Sequence, residues 1–258
     1  MATVISANAQ CVRINEQNSQ KVSLEYNMDN FDLKPVEVKG EKLFEVTVND
    51  LVMPNLKGEP NVPFIHRMLA IPQGATAKVN IVSFDEEIIE DVDIAPSFGY
   101  IVENDEFNAD YEKNESIYGK DAMFPGEIVK IAGQTDLRGV DVVQFSICPV
   151  QFNPVKKQIA VYRNIVFSID FEGGNGHFGE DRLRSPYWDP ILAQNVINYD
   201  CLPKIDYEKR MQQWLRDNED GAEYLIIVPN NETFKAYGEK LANYRRKQGI
   251  LTQVLSLD

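Results

Sequence analysis

Cysteine is scarce in this sequence. Cys11, Cys148 and Cys201 are the only three in 258 residues. Thiols this few and this scattered give no disulfide framework and no zinc cluster, both of which need closely spaced groups. Histidine is scarcer still, with only His66 and His177. Nowhere does the chain hold the ~18–20 consecutive apolar residues of a membrane-spanning helix. Basic residues are outnumbered 26 to 40, which leaves a net charge of -14. An excess of that sign sets aside nucleic acid and anionic membrane surfaces as partners. What remains is a hydrophobic fraction of 43%, that of a globular chain with length enough for a core.

From Cys11 to Phe171 the hydrophobic period is two. Val22, Leu24, Tyr26 and Met28 alternate with polar residues, as do Phe44, Val46 and Val48. Segments 76–84, 88–94, 127–132, 140–147 and 159–171 continue the pattern, and Pro or Gly punctuates many of the gaps between them. Many short alternating runs with frequent turn signals predict a mainly β fold, an antiparallel sandwich or jelly roll.

The end of the chain reads differently. Tyr224–Pro229 is an almost continuous apolar run, the pattern of a strand buried on both faces. Asn231 is placed to cap a helix, and Phe234, Tyr237, Leu241 and Tyr244 recur at three- and four-residue spacing as one apolar stripe. A second strand is predicted over 250–257. Strand, helix, strand is the opening of an α/β unit with a parallel sheet. The expected division is therefore 10–172 for the β domain, 173–222 for a connector with short helices, and 223–258 for a truncated βαβ unit.

Two segments interrupt the pattern. Residues 101–118 hold no sustained period and are strongly acidic, with Lys113 as the single base. An eighteen-residue stretch of this kind is uncommon inside a compact domain, and is usually either functional or disordered. Residues 173–179 (GGNGHFG) formally match a dinucleotide fingerprint, but no helix opens after them to receive a phosphate. A flexible linker is the plain reading, and no cofactor is expected. At the start, Ile5 to Ala9 has the small-x-small form of a signal-peptidase site. Residues 1–9 read as a signal-peptide remnant, with a tag scar as the alternative.

Catalytic chemistry is thin. Nucleophilic catalysis needs a nucleophile beside a base, and a His66–Cys148 dyad is a pairing the sequence allows. A strand histidine and a strand cysteine are more often structural. No metal site and no catalytic residue is assigned, and the chain alone is expected to be inactive.

Several segments taken in order resemble the N-terminal propeptide of gingipain-type cysteine peptidases. They are Lys57-Gly-Glu-Pro60-Asn-Val-Pro63 leading into Arg67-Met-Leu-Ala-Ile71, Asp93-Ile-Ala-Pro-Ser-Phe-Gly99, Phe124-Pro-Gly-Glu-Ile128, Leu137-Arg-Gly139 and Pro149-Val-Gln-Phe-Asn-Pro154. The resemblance runs from about residue 10 to about residue 200. Segment 224–258 is similar to the first strand–helix–strand of the peptidase domain itself. This likeness implies a sandwich prodomain that assists folding of a caspase-like cysteine endopeptidase and keeps the zymogen latent. The implied partner is that catalytic domain, first in cis and then non-covalently, in an exported bacterial protein, periplasmic or extracellular. The family's His and Cys dyad matches no residue of this chain.

The resemblance also implies that segment 101–118 reaches into the active-site cleft. Arginine-specific members place an arginine where Glu103 stands here, beside Asn104 and Asp105. A pocket that holds arginine is acidic and would repel this segment. Either the cognate cleft is neutral or basic, or Lys113 is the plug. Arg182, Arg184, Arg210 and Arg216 lie in segments read as exposed and are candidate processing sites, with Arg216–Asp217 the position most like a pro–mature junction. The competing reading is a secreted β-sandwich binding or adhesin module, for which Tyr111, Tyr118 and Tyr187 would be the handles.

Overall fold

The computed structural model describes residues 12–28, 30–48, 51–99, 112–217 and 221–257. The chain divides into two units, Met1–Pro203 and Lys204–Asp258. In the first, β1 (Val12–Gln17), β2 (Lys21–Tyr26), β6 (Ala75–Ile89), β9 (Val150–Asn153) and β10 (Gln158–Gly173) form one antiparallel sheet. β5 (Ile65–Ala70), β7 (Val129–Asp136) and β8 (Asp141–Ile147) form a second, in the order β5-β8-β7. β3 (Phe31–Val38) and β4 (Glu41–Val48) pair as a hairpin.

β10 is the organising strand. One of its edges pairs with β6 from Ile159↔Ile89 to Gly173↔Ala75. The other pairs first with β9 and then with β2. Its alternation puts Ile165, Phe167 and Ile169 into the core, each fully buried, as a period of two requires. Phe167 meets Phe145 of β8 edge-on at 5.7 Å between ring centroids, so the two sheets share one core. The antiparallel sandwich expected from the period-two pattern is present.

Two expectations are redrawn. Segments 76–84 and 88–94 were expected to be separate strands, yet β6 runs unbroken through Asp85, Glu86 and Glu87. β6 lies at the sheet's edge, where charge on solvated positions is tolerated and discourages further pairing. Arg163 of β10 answers the acidic run with a 2.6 Å ion pair to Glu87. The connector expected over 173–222 also changes, because its first part belongs to the first unit. Gln73 donates from its backbone N–H to the His177 carbonyl and from its side chain to that of Gly179. Phe178 is buried against Phe171, and Leu192, Val196 and Leu202 join the core. The buried Asn198 side chain both donates to and accepts from the Ala70 backbone, and the Ile197 N–H donates to Met68, so 196–198 extend the β5 edge.

The second unit holds α3 (Tyr207–Asp217), β11 (Tyr224–Pro229), α4 (Glu232–Lys247) and β12 (Thr252–Leu257), with β11 and β12 parallel. Asn231 caps α4 by accepting from the Thr233 N–H. The face of α4 that meets the strand pair is not the aromatic stripe. Gly238 and Ala242 are the buried residues of the helix, and Phe234, Tyr237, Leu241 and Tyr244 stay exposed. A side chain at Gly238 would come within 3.1 Å of Val254 and 3.2 Å of Val228, so its absence lets the helix sit close. β11 is covered on one face only: Val228 is buried, whereas Leu225 and Ile227 on the other are exposed. The strand buried on both faces that the apolar run predicted is not seen here.

Candidate functional site

The segment leading into residues 100–111 is hydrogen-bonded on two sides. The Phe44 N–H donates to the Asp93 carbonyl at 2.8 Å, and the Ala95 N–H donates to the Phe44 carbonyl at 2.9 Å. On the other side Asn61 donates to Ala95, and Ser97 donates to Glu59 at 2.9 Å. The Tyr118 hydroxyl donates to the Ile94 carbonyl at 2.9 Å, and its ring packs edge-on to Phe152. Tyr118 is thus a half-buried structural residue rather than an exposed handle; Tyr187 is exposed, and Tyr111 lies outside the described residues.

Lys113 is engaged by two carboxylates and an aromatic ring. Its Nζ lies 2.9 Å from Glu41 Oε2 and 3.5 Å from Asp93 Oδ2, and 5.4 Å from the centre of the Tyr118 ring. Lys157 also reaches Asp93. Burial works to lower the Lys113 pKa, but the hydrogen bond to Glu41 and the Asp93 charge outweigh it and hold it above the usual lysine value. Glu41 is lowered in turn, first by that hydrogen bond and then by the Lys113 charge. An ammonium held by two carboxylates anchors the exit of the segment. The short helix α1 (Glu115–Tyr118) follows, with Asn114 accepting from the Ser116 N–H as its cap. Glu103, Asn104 and Asp105 lie outside the described residues.

Neither described thiol is set up as a nucleophile. Burial pushes Cys148 up to about 11 and Cys201 up to about 12, so both are protonated at neutral pH. His66 projects from β5 against the Phe64 ring, 4.4 Å away. Desolvation lowers its pKa, partly offset by the backbone hydrogen bond at Phe145. Cys11 lies outside the described residues. Among the described residues no group of three or more His, Cys, Asp or Glu could hold a metal ion, and no helix is long and apolar enough to cross a membrane.

The family model Propeptide_C25 matches residues 3–204, which is almost the whole of the first unit. The chain belongs to the Propeptide_C25 family. It is 33% identical to a Gingipain R2 of Porphyromonas gingivalis over 93% of its length, and spans 31% of that relative. Among solved structures it is similar to a chain in the complex of the Porphyromonas gingivalis RgpB pro- and mature domains. There the TM-score is 0.65 at 26% identity, covering 74% of this chain and 97% of that one. A structure addressing zymogenic latency of gingipain K from the same organism shares the fold, with a TM-score of 0.53 at 23% identity over 66% of this chain and 97% of that one.

Within this Propeptide_C25 chain the four candidate arginines fall in unlike places. Arg182 is exposed, in a single turn of 3-10 helix at Asp181–Leu183. Arg184, expected to be accessible, is buried. Its guanidinium donates to both carboxylate oxygens of Asp189 at 2.6 and 2.8 Å and to the Pro203 carbonyl at 3.3 Å. Arg210 is exposed on α3, in the second unit. Arg216 lies in the last turn of the same helix, and its side chain is outside the described set. The signal that would have set Arg184 apart is the pairing with Asp189 five residues on, which charge patterning alone does not single out.

Proposed function

We propose that this chain is the propeptide of a gingipain-like cysteine endopeptidase, exported as a precursor, which assists folding of the peptidase and holds it latent until proteolysis removes it. The observation that carries this reading is the likeness of 74% of this chain to 97% of a chain in a solved complex of pro- and mature domains. The alternative of a free-standing adhesin module has no comparable support. Export draws on the small-x-small residues before Gln10. The partner is the mature peptidase domain, and the element that enters its cleft is segment 101–118, with Glu103, Asn104 and Asp105 at the contact. Lys113 anchors that segment.

Removal needs a cut that leaves the first unit whole. Arg210 and Arg216 lie beyond Pro203, on α3 of the second unit, and cleavage there meets that need. Arg182 is exposed but lies inside the first unit, and Arg184 is buried. Complex formation tests the reading directly. The chain mixed with the mature peptidase domain of its own precursor is expected to elute as a one-to-one complex in size-exclusion chromatography. Separate elution at micromolar concentration would refute a latency partner.

A further inference from the structure

Residues 184–203 form a loop whose two ends are tied to each other. Arg184 opens the loop, and its guanidinium donates to both carboxylate oxygens of Asp189 and to the carbonyl of Pro203, which closes it. The Tyr199 ring of the same loop lies 5.9 Å from that guanidinium. Between the ends the backbone bonds to itself in short steps. The Leu192 N–H donates to Trp188, that of Val196 to Leu192, that of Tyr199 to Val196 and that of Leu202 to Tyr199. Against the sandwich, the loop lies along the outer edge of β5. There the Ile197 N–H donates to the Met68 carbonyl at 3.0 Å. The Asn198 side chain plays both parts of a peptide group opposite Ala70, accepting at 2.7 Å and donating at 2.9 Å. Leu192, Val196 and Leu202 reach the shared core, and Arg138 lies over the Trp188 ring at 4.2 Å. A loop with joined ends and its own internal packing is a compact unit, able to open without unfolding the domain that carries it.

We propose that residues 184–203 are a self-latched strap that opens and closes over the β5 edge as one unit, and that the Arg184 latch keeps it closed once the chain is cut beyond Pro203. The proposal rests on the removal reading above for the place of that cut. A segment at a newly made end ordinarily frays inward from it. Here the carbonyl of Pro203 is held by the residue that starts the strap, so closure does not depend on the chain continuing past it. The latch protects the β5 edge. With the strap open, the backbone groups of Met68 and Ala70 that it occupies are bare on a strand edge, an exposure that invites pairing with other chains. A severed first unit with its latch intact keeps that edge covered.

Hydrogen–deuterium exchange, resolved by peptide on the full chain, tests this. A thrombin recognition sequence is inserted between Lys204 and Ile205, in the stretch that follows the strap. Before cutting, peptides covering 184–203 are expected to exchange together and faster than those covering β10, because local opening costs less than global unfolding. Ile169→Val, in the sandwich core, is expected to speed exchange in β10 by roughly two- to tenfold and to leave the strap's rate alone. After thrombin cleavage the strap of the parent chain is expected to exchange as before. In Arg184→Met with Asp189→Leu, which fills the space with apolar side chains but loses the bond to Pro203, the same cut is expected to speed exchange over 199–203 by about tenfold, the worth of a hydrogen bond to a charged group. Should that variant fail to fold, Arg184→Lys carries the same expectation, since it keeps the charge and loses the fork. A strap that exchanges at the rate of β10 and responds with it to Ile169→Val would overturn the proposal. So would a cut whose effect on the strap is the same in the parent and the latch variant. Neither outcome involves the native peptidase, so failure of the latch and failure of the latency reading are told apart.

Discussion

Asp189→Ala is expected to lower the stability of the first unit by about 3–5 kcal/mol, the usual cost of removing one partner of a buried ion pair. The Arg184 side chain is 1% exposed and cannot shed its charge. Asp189 supplies the charge that pairs it at 2.6 Å, and the Pro203 carbonyl and the Tyr199 ring 5.9 Å away do not neutralise a guanidinium. For a unit of this size the loss corresponds to a fall in melting temperature of roughly 6–20 °C. Replacing both partners by apolar residues, Arg184→Met with Asp189→Leu, is expected to cost far less, because no uncompensated charge is left behind. Thermal unfolding of the two variants checks the account. A loss below about 1 kcal/mol for Asp189→Ala, the range of exposed pairs, would mean that water reaches the guanidinium and that the seam between 184 and 203 is not sealed.

Replacing residues 100–111 by a short linker is expected to weaken inhibition of the mature peptidase by roughly 30- to 700-fold. That is the effect of losing about 2–4 kcal/mol of central contact at an interface. The melting temperature is expected to stay close to that of the parent, since the flanking residues 93–97 and 112–118 keep their own partners in the sandwich. Inhibition constants from progress curves and a melting curve on the same sample separate these effects. Undiminished inhibition would place the inhibitory contact on the sandwich face instead. Within the segment, Glu103→Arg reverses the charge at the contact and is expected to weaken binding to a cleft that accepts the acidic segment.

How far the sequence foretold this depends on how local each feature is. The sandwich was legible because strand burial is written at a period of two, as in Leu24 and Tyr26 or Ile165, Phe167 and Ile169. β6 was read as two strands because an acidic run looks like a break, and only its edge position explains why Asp85, Glu86 and Glu87 are tolerated there. The docking of 173–203 was hidden by its glycines. Leu192 and Val196 share helical spacing, whereas the other anchors, Phe178, Leu202 and the side chain of Asn198, belong to no periodic pattern. In α4 the aromatic stripe drew the eye, whereas the contact with the strands is made where side chains are smallest, at Gly238 and Ala242. Gly58 read only as one turn glycine among several, because its partners Ser97 and Asn114 are remote in sequence and the demand on its backbone exists only once the fold has formed.

The account stands or falls on latency. The measurement that tests it most directly is the steady-state rate of peptide hydrolysis by the mature peptidase domain of the same precursor, titrated with the intact chain at several substrate concentrations. Competitive inhibition that saturates at one equivalent is the predicted result. Full activity at an excess of the chain, or inhibition that substrate does not relieve, would contradict occupation of the cleft.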